Sequence, residues 1–243
     1  MSADVGGLTA AGLVRAFGGV RAVDDVDITV EAVSIHGLIG PNGSGKTTLL
    51  GLLAGTVRPD AGQVAVGGQA LRGTGIHRMV RHGVARTFQT TRLFADRTVA
   101  ENFAVGVEER GPARRQHRDP AELARLLDIT ALTGHAGSKA RQLSNAQQRR
   151  MMILNALSTA PHTLLLDEPA VGMSSAEAGV LATVVRRVRD ELGVAVLIVE
   201  HNMHFMMTLA ERITVHSAGR VLAEGTPAEI RSNTDVIASY LGS

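Results

Sequence analysis

Eight residues constrain this chain more than any other feature. Gly40-Pro41-Asn42-Gly43-Ser44-Gly45-Lys46-Thr47 has the form G-x-x-x-x-G-K-T; the apolar run Ile35 to Ile39 precedes it and the helical start Thr48-Leu49-Leu50 follows. A strand, a glycine-rich turn and a helix N-terminus in that order make a cradle for phosphate. Glycines let backbone N–H groups converge on an anion without side chains in the way. The helix end adds its partial positive charge. In such a loop Lys46 bridges the β- and γ-phosphates and the Thr47 hydroxyl holds Mg2+. The candidate nucleotide contacts are therefore Gly40, Asn42, Gly43, Ser44, Gly45, Lys46, Thr47 and Thr48. Lysine occurs only at positions 46 and 139, and one of the two stands where this chemistry requires it. No Asn-Lys-x-Asp tetrapeptide that would read guanine is present, so ATP is the expected nucleotide.

A second motif supplies carboxylates. Thr163-Leu164-Leu165-Leu166-Asp167-Glu168 is an apolar run ending in two acids. On a buried parallel strand, Asp167 falls at the C-terminal edge, where ligand sites of such sheets lie. The first carboxylate suits the Mg2+ shell, and the second can orient or deprotonate an attacking water.

Composition narrows the class further. The 243 residues contain no Cys, which excludes a disulfide scaffold and a thiol nucleophile and fits a reducing compartment. The longest wholly apolar run is Val194 to Val199, far short of the ~20 residues that span a bilayer. No signal peptide is apparent at the N-terminus. The sequence pI near 9.6 looks like that of a nucleic-acid binder, yet the net charge is only +2. Nearly all the positive charge is Arg, which stays protonated to pH ~12. The pI is thus a composition effect, and no nucleic-acid partner is expected.

The pattern along the chain is α/β. Runs 34–39, 84–87, 163–167 and 194–199 read as strands, the last two as near-continuous apolar strands of a parallel sheet. Ile213 to Val215 and Arg220 to Ala223 read as a hairpin about Ala218-Gly219. Alternating strands Val26 to Val30 and Gln63 to Val66 suggest an N-terminal antiparallel layer. Ser174-Ser175-Ala176-Glu177 is a capping-box pattern that opens a helix. Residues from about 90 to 159, including helical stretches 121–127 and 146–157, suggest a helical subdomain. It would be inserted into an ATPase core with its β layer at about 1–89 and 160–243, all within one domain over 1–243.

These motifs resemble the ATP-binding subunits of ABC transporters over nearly the whole chain. Gln89 in Arg86-Thr87-Phe88-Gln89 matches the family's Q-loop, and Leu143-Ser144-Asn145-Ala146-Gln147 sits at the signature position. His201 matches the switch histidine and Phe17 the adenine-stacking aromatic. A finer resemblance is to the branched-chain amino-acid branch. It is carried by Phe17 to Val23, Ala85 to Gln89, Arg92-Leu93-Phe94, Gln147 to Arg150, Glu200 to Met203, and Gly225-Thr226-Pro227 with Tyr240-Leu241-Gly242.

The resemblance implies an ATPase with Mg2+ that powers import of a small polar solute, an amino acid or a related amide, urea or aromatic acid. It implies Glu168 as catalytic base and His201 against the γ-phosphate. Gln89 would reach Mg2+ and water, Thr47 and Asp167 would hold the metal, and Ser144 and Gln147 would act on the partner's nucleotide. The implied partners are a second ATP-binding subunit, a transmembrane permease and, indirectly, a solute-binding protein, with the chain peripheral on the cytoplasmic face of the membrane.

The chain departs from the family pattern in two places. Asn145 and Ala146 replace the signature glycines, and Val171-Gly172-Met173-Ser174 lacks the usual terminal Asp of the D-loop. A methyl at Ala146 is expected to crowd the approach of backbone to phosphate, leaving the chain able to hydrolyse ATP but less able to support its partner's site. A nucleotide-gated regulatory module with little turnover is the alternative this raises. A soluble ATPase of DNA repair or translation is a further one, though the second cassette or long coiled insertion usual there is missing. Among the remaining residues, His36, His77 and His216 read as ordinary histidines with nothing phosphate-like nearby, and Arg114 to Arg118 as a solvated loop.

Overall fold

The computed structural model describes residues 7–71, 75–88, 93–108 and 120–241. Arg114 to Arg118 and Gln89 lie outside them. Two sheets carry the fold. The first is antiparallel, in the order β2 (Val20–Val30), β1 (Leu8–Phe17), β4 (Ala61–Val66) and β5 (Gln69–Leu71). The second runs β10 (Arg220–Gly225), β9 (Arg212–Ser217), β3 (Ile35–Ile39), β8 (Ala195–Val199), β7 (Thr163–Asp167) and β6 (Val84–Arg86). Within it β9, β3, β8, β7 and β6 are parallel, and only β10 turns back against β9.

The apolar runs make sense once both faces of the second sheet are seen to be covered. Ile35 and Ile39 of β3, Leu164 and Leu166 of β7, and Val196 and Ile198 of β8 join one core. That core also holds helices α3 (Val99–Glu108), α4 (Pro120–Ile129), α5 (Asn145–Leu157), α6 (Ser175–Leu192) and α7 (Met203–Leu209). Leu38, Leu165, Leu197 and Val199 point the other way, into a second core with α1 (Lys46–Leu53) and the antiparallel sheet. Every residue of β3, β7 and β8 is buried. A short helix α2 (Ile76–Arg81) precedes β6, and α8 (Pro227–Ser232) and α9 (Thr234–Leu241) end the chain. Among the described residues no helix is long and apolar enough to cross a membrane.

The expected hairpin is present, tightened by Ala218 (φ 47°) and Gly219 (φ 82°). Two left-handed residues in succession match the right-handed twist of the paired strands.

Candidate nucleotide site

The phosphate loop leaves β3 at its C-terminal end, between β9 and β8. Gly43 adopts φ 78°, a left-handed conformation that suits glycine. Gly40 and Gly45 are required for space as well. A Cβ on Gly40 would stand 2.0 Å from the His216 carbonyl oxygen, and one on Gly45 would stand 1.9 Å from that of Ala22. Gly45 also serves as N-cap of α1, and no side chain caps that helix. The buried Ser44 Oγ has no hydrogen-bond partner. A buried orphan hydroxyl beside an uncapped helix end in a glycine cradle fits a triphosphate.

Lys46 is buried and its Nζ donates to the carbonyls of Gly40 (2.7 Å) and Pro41 (2.9 Å). Burial lowers its pKa, and the Glu168 carboxylate opposes that shift. The lysine is therefore folded back on its own loop.

Asp167 ends β7, buried, and Arg86 Nη2 on β6 donates to its Oδ2 at 2.8 Å. The same guanidinium donates to Thr56 Oγ1 at 3.1 Å and lies 5.4 Å from the Phe88 ring centroid. Among the described residues no group of three or more His, Cys, Asp or Glu gathers to hold a metal. A divalent cation here would take hard oxygen donors from Thr47 and Asp167 and the rest from phosphate and water, which is how Mg2+ is bound in such sites. The donor set fits that ion, with Asp167 released from Arg86.

Glu168 follows in the left-handed region at φ 46°, a conformation that costs of order 1–3 kcal/mol in a non-glycine residue. Its N–H donates to the Val199 carbonyl at 2.9 Å, and its Oε1 lies 3.9 Å from His201 Nδ1. Motif reading alone did not assign a role to Glu200, the residue that ties these loops together. Its buried carboxylate accepts from the Ala170 N–H at 2.7 Å and also from the backbone N–H groups of His201 and Asn202. Burial raises its pKa, and those donors offset part of the rise.

Phe17 ends β1 about half exposed, with the Arg15 guanidinium 4.6 Å above its ring. Arg15 is held in turn by Asp60 at 2.7 Å. Phe17 pairs with Val20, and the same hairpin presses its Ala22 carbonyl on Gly45, so the aromatic stands at the edge of the loop.

Ser144 and Gln147 are not part of this cluster. They close a capping box on α5: Ser144 Oγ accepts from the Gln147 N–H (3.3 Å) and Gln147 Oε1 from the Ser144 N–H (2.8 Å). Gln147 Nε2 also lies 3.0 Å from His135 Nε2. Ala146 is only 7% exposed. It lines a cleft of about 240 Å³ with Asn145, Arg149, Val171, Gly172 and Met173. The altered signature thus shares this cleft with Val171, Gly172 and Met173 of the D-loop.

One expectation is corrected. His216 does have phosphate-binding structure nearby, because it lies directly beneath the loop: its Cε1 would be 2.9 Å from a Cβ on Gly45. His216 lies within β9, which pairs with β3, and that pairing brings it there. His36 is an internal residue, hydrogen-bonded to Thr214 Oγ1 at 2.8 Å.

The fold and the loop define a nucleotide-hydrolysing cassette of the phosphate-loop class. The ABC transporter family pattern matches residues 23–171, and the chain belongs to that family; the pattern described as "Branched-chain amino acid ATP-binding cassette transporter" matches residues 220–243. The chain is 38% identical to the high-affinity branched-chain amino acid transport ATP-binding protein BraF of Pseudomonas aeruginosa, over 97% of each chain. It is 37% identical to the LivG protein of Escherichia coli described in the same words, again over 97% of each. The ADP conformation of MJ1267, an ATP-binding cassette of an ABC transporter, superposes with a TM-score of 0.87 at 27% identity, covering 97% of this chain and 98% of that one. Like its relatives, the chain is an ATPase that powers transport.

Proposed function

We propose that this chain hydrolyses ATP to drive uptake of branched-chain amino acids or closely related small solutes. It would work as one of two ATP-binding subunits on the cytoplasmic face of a transmembrane permease. The observation that carries the reading is the convergence of Lys46, Glu168 and His201 on one phosphate loop, in a chain whose last 24 residues match the branched-chain family.

The chemistry follows from the residues. Lys46 and the α1 N-terminus neutralise phosphate charge and Phe17 supports the adenine; Thr47 and Asp167 would hold Mg2+, which when bound would supply further neutralisation. Glu168 accepts a proton from a water whose oxygen bonds to the γ-phosphorus, while the bond from that phosphorus to the ADP oxygen breaks. His201 steadies the γ-phosphate. Gln89 lies on the segment after Phe88 and would complete the metal and water site. Ser144 and Gln147 would serve the partner's nucleotide, as the family resemblance implies. A cleft of about 230 Å³ between α2, β6 and α5, lined by Ile76, Val80, Phe88 and Leu93, supports an apolar contact with the permease.

The test is reconstitution with a candidate permease and solute-binding protein in vesicles. ATP-dependent leucine uptake that vanishes in Glu168→Gln supports the proposal. ATPase activity indifferent to every permease, with no uptake, favours the regulatory-module alternative.

A further inference from the structure

The carboxylate that would hold the metal is engaged by a cation of its own chain. Arg86 Nη2 donates to Asp167 Oδ2 at 2.8 Å, and the two side chains are only 8% and 7% exposed. Burial is what gives this contact its weight. An exposed ion pair contributes little, whereas a pair withdrawn from water attracts strongly and leaves a heavy penalty when one partner is lost. The sheet sets the pair up. β6 runs parallel to β7 with Arg86 opposite Leu165, and side chains two apart on a strand share a face. Arg86, Leu165 and Asp167 therefore leave the sheet on one side. The Thr87 N–H donates to the Leu165 carbonyl at 2.9 Å, and the Asp167 N–H to Thr87 Oγ1 at 3.4 Å. The two strands end together, and the arginine has only one strand to cross.

The residue after α1 holds the other corner of the guanidinium. Arg86 Nη1 donates to Thr56 Oγ1 at 3.1 Å, and that hydroxyl donates in turn to the Gly51 carbonyl at 3.2 Å. The Phe88 ring centroid stands 5.4 Å from the guanidinium carbon. Yet the Arg86 Nε is buried with no hydrogen-bond partner among the described residues. Arg86 also lines the cleft between α2, β6 and α5. Asn155 lines the same cleft, and its buried Oδ1 has no partner among the described residues either. The arginine is thus incompletely satisfied where it stands, and it borders a cavity that contains a spare acceptor.

A guanidinium and a divalent cation seek the same lone pairs on Asp167. Two cations on one buried carboxylate also repel each other. A metal bound through Asp167 must therefore displace Arg86 or share the carboxylate with it at reduced strength.

We propose that Arg86 is a positioning residue that competes with Mg2+ for Asp167 and so weakens the coupling between metal and nucleotide binding. The proposal rests on the ATPase reading above. It deepens that reading by naming the residue that decides how readily the metal carboxylate is given up.

The test is Arg86→Met, which keeps an unbranched apolar stem and removes the charge. The Kd of a fluorescent ADP analogue is measured on the full chain twice, in Mg2+ and in EDTA. The ratio of the EDTA value to the Mg2+ value reports what the metal adds. General loosening of the fold weakens both arms and cancels in the ratio. The expected result is a ratio raised about tenfold over the unaltered chain, a modest share of the attraction between unit charges a few ångströms apart. The melting temperature should fall at the same time, because Asp167 loses its counter-charge. Arg86→Lys restores the charge without the planar fork and should bring the ratio to within about threefold of the unaltered chain. Thr56→Val removes the anchor at Nη1 and should raise the ratio about two- to threefold, the scale of one weakened hydrogen bond.

An unchanged or lowered ratio in folded Arg86→Met overturns the proposal and makes the ion pair a structural tie between β6 and β7. If Arg86→Met does not fold, Thr56→Val decides, and an unchanged ratio there overturns it. Failure of the unaltered chain to bind the analogue in either arm overturns the ATPase reading itself, so the two failures are distinguishable.

Discussion

Helices α1 and α5 both begin at functional motifs, yet their N-termini are finished in opposite ways. The α1 terminus starts from Gly45 in a left-handed conformation and receives no side-chain cap. The α5 terminus starts from Ser144 and is closed by a complete capping box with Gln147. A helix N-terminus exposes four N–H groups that something must satisfy. At α1 no side chain satisfies those donors, and the proposed function leaves them for the nucleotide of the same chain. At α5 they are partly satisfied internally, so on that proposal a phosphate from an opposing subunit would have to compete with Ser144 and Gln147 for them. One site would then receive an anion directly and the other by exchange.

The comparison breaks most visibly at α1. Lys46→Ala removes the ammonium held on the loop carbonyls and should lower ATPase turnover by about a thousandfold, given what single preorganised charges contribute at developing anions. The measurement is phosphate release from the purified chain. Turnover near the wild-type level would mean that the loop is not the hydrolytic centre. Glu168→Gln comes next, with a fall of about 10²–10⁴ expected for loss of a general base. Binding of ATP should persist in this variant, which separates the proton acceptor from the phosphate cradle.

Much of the α1 side was legible in the sequence because its information is local. Strand, glycine turn, lysine and helix follow one another between residues 35 and 53, and the β7 and β8 runs announce burial on both faces by composition alone. The parts that stayed hidden are set by strand order. Arg86 meets Asp167 across 81 residues because β6 lies beside β7. His216 comes under the loop because β9 lies beside β3. Neither neighbour relation follows from a local pattern. Glu200 had a readable signal, a charged residue directly after an apolar strand, but its role as a backbone acceptor for the Ala170 loop depends on that loop's path. The capping boxes at Ser144 and Ser174 lie at the other extreme, since three-residue spacing suffices to recognise them.

The α1 side also carries a titrating group beneath it. Burial lowers the pKa of both His36 and His216 from the usual 6.5 to about 4. The unfolded chain takes up these protons near pH 6.5, whereas the folded chain refuses them until about pH 4. Stability is therefore flat with respect to these groups above pH 6.5 and falls as pH drops toward 4. Inside that window the slope reaches about 1.4 kcal/mol per pH unit for each histidine. Urea unfolding at pH 7, 6 and 5 should display the acid limb, and His36→Gln combined with His216→Leu should flatten it. An unchanged limb in the double variant would assign acid sensitivity to other groups.

On the α5 side the effects should be smaller. Ser144→Ala removes the cap and should cost ~1 kcal/mol of stability, while leaving the nucleotide affinity of the isolated chain unchanged because the Ser144 side chain is engaged in the α5 capping box with Gln147. Equal losses of nucleotide affinity in Ser144→Ala and Lys46→Ala would abolish the distinction between the two helix ends.

Ala146→Gly sharpens the comparison most finely. The sequence suggests that the methyl obstructs an approaching phosphate, but Ala146 is buried beside Val171, Gly172 and Met173. Any effect must then pass through the D-loop or through α5 itself. Glycine within the first turn should cost roughly 0.5–1 kcal/mol in helix stability and open a small space against the loop. The expected outcome is a slightly lower unfolding midpoint with ATPase of the isolated chain unchanged and permease-stimulated turnover raised by no more than about threefold. A large stimulation would restore the direct-crowding explanation. Identical turnover and transport would mean that the altered signature leaves the opposing site intact, and that exchange of the Ser144 cap is the step distinguishing α5 from α1.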